Sequence, residues 1–183
     1  MKQKPLFTVD GETLTTTLLP PVRFVVEGFI PQGLHLLAGA SKIGKSWLAL
    51  WLCLQVAKGE KVWDFPSRRG DVLYLCLEDN YSRIQSRLMD ITDEAPGNLH
   101  FATASEKLRC GLEQQIQQFL AGHPHTVLVV IDTLQRVRGA GGDANAYPND
   151  YRDREALKAL ADGQHLAHPP GPHLREREGA DPR

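Results

Sequence analysis

The chain has 183 residues, with 21 Lys and Arg against 22 Asp and Glu, 42% apolar residues, seven His and three Cys. That length suits one domain with a full core and leaves no room for a second sizeable one. A net charge of −1 gives no bulk attraction to nucleic acid or anionic lipid, although local patches can exist. The longest apolar run, Trp47 to Ala57 around Gln55, falls short of the ~20 residues a bilayer span requires. The first five residues, Met1-Lys2-Gln3-Lys4-Pro5, lack a hydrophobic signal core. Cys53, Cys76 and Cys110 are odd in number and widely spaced, so they suggest neither a disulfide framework nor a metal knuckle. The expectation is a soluble, intracellular, cytoplasmic protein with no membrane partner.

In chain order, residues 1–21 form a polar lead-in ending in Pro20-Pro21, expected to be extended or a turn. Leu34-His35-Leu36-Leu37-Ala38 reads as a short buried strand, followed by a glycine loop. Ile43 to Ala57 reads as a helix that ends near Gly59. Val72 to Leu77 is a continuous apolar run, as expected of a strand covered on both faces. Asp79 or Asn80 can cap the next helix, whose Ile84, Leu88 and Ile91 share one face. Leu99 to Thr103 is a weak strand, and Leu112, Ile116, Phe119 and Leu120 mark a helical face between Gly111 and Gly122. Val127 to Ile131 is the strongest strand. Gly139 to Gly142 is a flexible loop, after which Asn149 can cap a helix over about 150–162. Strands alternating with helices predict an α/β fold with a mostly parallel sheet and helices on both faces.

Residues 163–183 differ, holding four of the twelve prolines, three of the seven histidines and few apolar residues. This composition predicts a disordered tail. His165, His168 and His173 lie there without cysteine or a folded frame, which argues against a metal.

Gly39-Ala40-Ser41-Lys42-Ile43-Gly44-Lys45-Ser46 fits G-x-x-x-x-G-K-[ST], the P-loop, and lies between an expected strand and an expected helix as that motif requires. Gly39 and Gly44 let the backbone curl so that successive N–H groups face a phosphate. The helix dipole adds to that field. Lys45 can reach the β- and γ-phosphates of ATP, and the Ser46 hydroxyl can ligate Mg²⁺. The plainer alternative is a glycine turn with a solvated lysine. Asp132 follows the apolar strand 127–131, so its carboxylate should emerge at the carboxyl edge of the sheet, where ligands of open α/β sheets sit. There it would hold Mg²⁺ directly or through water, or else cap a turn. Thr133, not Glu, follows it, which disfavours a site with its base beside that aspartate. Glu78 follows the strand 72–77 and is the candidate base that orients a water towards the γ-phosphate, with helix capping as its competing role.

At this point the chain resembles a family. Leu36-Leu37-Ala38-Gly39 running into Lys42-Ile-Gly-Lys-Ser-Trp-Leu-Ala-Leu50 is similar to the start of the RepA-like branch of RecA-fold ATPases. Leu77-Glu78-Asp79 with Arg83 and Arg87, and Val130-Ile131-Asp132-Thr133-Leu134, are similar too. So is the lead-in Val26-Glu-Gly-Phe-Ile-Pro-Gln-Gly33. The resemblance covers roughly residues 20–162, making 22–162 the expected ATPase core. It implies a RecA-like P-loop fold, ATP and Mg²⁺ as cofactors, Glu78 as catalytic glutamate, and a role in DNA replication. The implied relatives are hexameric replicative helicases of plasmids, phages and integrated elements, so a homo-oligomer and single-stranded DNA are the implied partners. The departure comes after 162, where the family's next apolar strand, its polar sensor and its arginine finger are not seen. A one-base shift of His165 to His173 can encode an apolar strand ending in histidine, so a frameshift near residue 163 is the expectation for the tail.

Other residues carry weaker signals. Arg136 and Arg138 could touch single-stranded nucleic acid or a neighbouring subunit, with solvated arginines as the favoured reading. Arg83 and Arg87 could face phosphates, but a solvated face shared with Asp90 and Glu94 is favoured. Trp47, Trp51 and Trp63 are expected in the core or at a subunit contact, and His35 inside its strand. Two other function classes stay open: a non-catalytic nucleotide-binding remnant or regulator, and a small-molecule kinase, for which no lid or acceptor site is visible.

Overall fold

The computed structural model describes residues 6, 8–138 and 146–163, with side chains over 152–162 in the last stretch. The elements run α1 (Gly11–Thr16), β1 (Phe24–Val26), β2 (Ile30–Pro31), α2 (Lys45–Lys58), β3 (Asp71–Cys76) and α3 (Tyr81–Ile91). They continue with β4 (Leu99–Ala102), α4 (Leu112–Gly122), β5 (Thr126–Asp132), α5 (Leu134–Val137) and α6 (Ala146–Gly163). A three-stranded sheet of order β4-β3-β5 forms the centre, and both pairings are parallel. The fold is α/β with a parallel sheet and flanking helices, as in RecA-like P-loop NTPases.

The strand β3 is central because its residues suit burial on both faces. Val72, Tyr74 and Cys76 enter one core with Leu50, Cys53, Leu54 and Val56 of α2. Leu73 and Leu75 enter a second core with Leu112 and Ile116 of α4 and Leu157 of α6. The period-two alternation therefore separates two cores, one on each side of the sheet. Gly70 is required where β3 begins, since a Cβ there would lie 2.5 Å from the His125 carbonyl and 2.5 Å from Val127 Cγ1.

Several expectations are corrected. Residues 34–38 form no strand; Leu36 and Leu37 are exposed, and Leu34 alone packs against the second core. A short apolar run becomes a strand only where a neighbour completes its ladder, and β3 is the one described strand paired with β5. Within 1–21 the polar lead-in contains a helix, α1, whose N-cap Asp10 accepts from the Thr13 backbone N–H at 2.8 Å and its hydroxyl at 2.7 Å. That backbone hydrogen bond, then the hydroxyl one, holds the Asp10 carboxyl below its usual range. Asn80, not Asp79, caps α3 by accepting from the Arg83 N–H. The last helix begins at Ala146, so Asn149 lies within it rather than capping it. His35 is exposed and shares a 2.7 Å hydrogen bond with the Pro31 carbonyl oxygen.

Of the tryptophans, Trp51 is half-buried and packs against the first core, while Trp47 and Trp63 lie outside it. Trp63 is 54% exposed, in an aromatic cluster with Phe29 at 5.2 Å and Trp51 at 5.5 Å. Trp47 is partly exposed, with the Arg87 guanidinium 5.7 Å from its ring centroid. The cysteines are free; Cys53 and Cys76 are buried, and Cys110 is exposed. No helix among the described residues is long and apolar enough to cross a membrane. The loop 139–142 and the tail beyond 163, with His165, His168 and His173, lie outside the described residues.

Candidate nucleotide site

The loop 39–44 leads into α2 with the backbone geometry its sequence demands. Gly44 has φ 92° and Lys42 has φ 64°, both left-handed, so the chain turns tightly before the helix starts. Gly44 as N-cap has no side chain to offer, so the first-turn N–H groups of α2 carry no side-chain cap. Such a helix start suits an anion. At Gly39 a Cβ would meet the end of the exposed Ile43 side chain at 2.5 Å, so a larger residue there would push that side chain aside. Ala40, Ser41, Lys42 and Ile43 are exposed along this loop. The Lys45 ammonium folds back over it, donating to the Gly39 carbonyl at 2.9 Å and to the Ala40 carbonyl at 2.6 Å.

The sheet then brings the other candidate residues to one edge. Cys76 pairs with Asp132 in register, and the Leu77 N–H donates to the Asp132 carbonyl at 2.7 Å. The side chains of Asp132 and Glu78 therefore leave β5 and β3 at their carboxyl ends. Thr133 donates its hydroxyl to Glu78 Oε1 at 3.2 Å, and Arg136 Nε lies 3.6 Å from the same oxygen. Glu78 is exposed, outside any helix cap, so it does not take the capping role weighed for it.

A residue that sequence reasoning passed over links these parts. The Tyr74 hydroxyl donates to Asp132 Oδ2 at 2.8 Å and lies 3.4 Å from the Ser46 carbonyl oxygen. Burial, then the Asp132 charge and hydrogen bond, push the phenol far above its ordinary pKa, so the hydroxyl keeps its proton. The signal was available: Tyr74 carries the one side-chain hydroxyl in the run 72–77, and a buried tyrosine hydroxyl needs a partner.

The Ser46 main-chain carbonyl and the Asp132 carboxylate thus approach one hydroxyl from two elements. A serine hydroxyl and a carboxylate are hard oxygen donors, which suits Mg²⁺, and no group of three His, Cys, Asp or Glu among the described residues forms a separate metal cluster. Arg83 and Arg87 do not form the expected face with Asp90 and Glu94. Asp79, largely buried, takes Arg83 Nη1 at 2.9 Å and also pairs with Arg87. Arg138 pairs with the buried Asp153 of α6 at 3.5 Å and so is not a simple solvated arginine, whereas Arg136 is largely exposed, beside Glu78.

Comparisons with curated proteins and with solved structures gave no match. The family model described as AAA domain (AAA_25) matches residues 3–167 and so spans most of the chain. With a parallel sheet, a glycine loop opening α2 and two acids at the sheet's carboxyl edge, the chain belongs to this AAA domain family of P-loop ATPases.

Proposed function

We propose that this chain binds ATP with Mg²⁺ and hydrolyses it as a RepA-like, helicase-type ATPase acting in DNA replication. The observation that carries the reading is the meeting of three segments at one sheet edge: the start of α2, the end of β3 and the end of β5. In this reading the backbone N–H groups of residues 39–46 cradle the phosphates, and Lys45 exchanges its contacts with Gly39 and Ala40 for phosphate oxygens. Ser46 and Asp132 hold Mg²⁺, which when bound neutralises charge on the phosphates. Glu78 orients the attacking water and accepts its proton, with Thr133 steadying the carboxylate. The helicase type, single-stranded DNA and a homo-oligomer follow from the resemblance of Leu77-Glu78-Asp79 and Asp132-Thr133-Leu134.

A second reading, ATP binding without turnover, draws support from one contact. Arg136 approaches Glu78 Oε1 at 3.6 Å, which engages the carboxylate meant for water.

Mg²⁺-ATP hydrolysis by the purified chain, with and without single-stranded DNA, separates the two. The motor-type reading expects DNA-stimulated turnover, lost in both Lys45→Ala and Glu78→Gln, with Glu78→Gln still binding ATP. Binding without turnover, abolished by Lys45→Ala alone, would establish the second reading.

A further inference from the structure

We propose that Tyr74 is a positioning residue for the magnesium site: its buried hydroxyl fixes the Asp132 carboxylate against the start of α2. The inference rests on the ATP reading above and assigns a role to a residue outside the P-loop and outside both acids.

The pleat decides which side of the sheet each residue of β3 faces. Tyr74 faces the α2 side of the sheet, and its register partner on β5 is Val130. Side chains on a sheet lean along the strand, so a long one reaches the diagonal neighbour two residues on. On β5 that neighbour is Asp132, and the hydroxyl meets Oδ2 at 2.8 Å. Phenylalanine would fill the same slot, and leucine or valine would suit a buried parallel strand better. The tyrosine is only 2% exposed, so its hydroxyl has been removed from water and needs a partner within the protein.

A hydroxyl carries one proton, and two acceptors lie near it. The charged acceptor at 2.8 Å takes that proton, while the Ser46 carbonyl at 3.4 Å stands at the limit of hydrogen bonding. One lone pair of Oδ2 is thereby engaged, and the carboxylate cannot rotate without losing a charge-assisted bond in a half-buried setting. Oδ1 remains as the oxygen for a cation. Because the same hydroxyl abuts the main-chain carbonyl of Ser46, the second residue of α2, Tyr74 stands between Asp132 and the start of that helix. Partners that orient a metal's ligands in this way typically contribute 10–100-fold in metal affinity or activity.

The test is ATP affinity measured calorimetrically with excess Mg²⁺ and again in EDTA, for wild type, Tyr74→Phe, Asp132→Asn and the double variant. The expected result is that Mg²⁺ tightens ATP binding to wild type, and that Tyr74→Phe reduces this gain about tenfold while its affinity in EDTA is unchanged. Asp132→Asn should lose the gain, and adding Tyr74→Phe to it should change nothing further, because the tyrosine acts through that carboxylate. A merely structural tyrosine would instead lower both affinities, or add its effect to that of Asp132→Asn. Tyr74→Met, without a hydroxyl and with an adaptable side chain, must show the same loss as Tyr74→Phe, which keeps the test decisive if either variant folds poorly. A full Mg²⁺ gain in a folded Tyr74→Phe or Tyr74→Met overturns the inference alone. A wild-type chain that binds no ATP in either condition overturns the ATP reading, and this inference with it.

Discussion

Asp79 shows how one carboxylate can organise several neighbours. It takes two arginines from the first two turns of α3, and one of them, Arg87, also lies over the Trp47 ring beside Ser46. Arg83 is more than half exposed and contributes little on its own, so the pairing with Arg87 carries most of the effect. Asp79→Ala is therefore expected to cost about 1–2 kcal/mol, read as a lower urea midpoint at unchanged slope. Gly70 makes a sharper case, because a backbone carbonyl, not a flexible side chain, faces the missing Cβ. Gly70→Ala should cost about 2 kcal/mol or more by forcing β3 and β5 apart at their first rung. Thermal unfolding of the purified variant checks this.

Among the elements, α6 is held by a buried charge. Asp153 is only 2% exposed and receives Arg109 Nη2 at 2.8 Å and Arg138 at 3.5 Å, beside Leu157 and Val137 in the second core. Both arginines retain access to solvent, so Asp153→Ala should loosen α6 rather than unfold the chain. Hydrogen exchange is expected to quicken over 152–162 while β3 stays protected. Such a latch was not legible in the sequence, since Arg109, Arg138 and Asp153 meet only through tertiary packing. By contrast α2, β3 and β5 were legible, because long apolar runs between glycine or polar boundaries leave little choice of element. Residues 34–38 carry a similar but shorter run, and the reading failed because pairing, which sequence does not display, decides whether a strand forms. In the candidate site, the loop 39–46, Asp132 and Glu78 were visible as types at expected places. Tyr74 and the Thr133 and Arg136 contacts to Glu78 depended on register and diagonal reach.

At the scale of the molecule, the α2-side core contains three weak acids kept protonated by burial. Burial, with smaller contributions from Asp79 and Asp132, pushes the Cys76 thiol up to about 11. Burial also drives Cys53 and Tyr74 well above their ordinary values. In the unfolded chain the thiols ionise near pH 9 and the phenol near pH 10, while the folded chain keeps these protons. The folded state then binds more protons, so stability falls as pH rises above about 9 and is insensitive to these groups below that. Urea midpoints under reducing conditions should be level from pH 7 to 8.5 and drop steadily towards pH 11. The loss can approach ~1.4 kcal/mol per pH unit for each ionising group. Tyr74→Phe should flatten the part of that decline above pH 10.

The pairing of Cys76 with Asp132 has a consequence for how the chain can vary. Adjacent strands stand ~4.8 Å apart whatever connects them, so the ladder acts as a ruler between the places where the two acids emerge. Lengthening the connections through α3, β4 and α4 would leave that ruler unchanged. Slipping β5 by a single residue would turn Asp132 to the opposite side of the sheet, away from α2. The spacing between the ends of β3 and β5 is thus a property of hydrogen-bond arithmetic in the sheet, and the surrounding loops can diversify without recalibrating it.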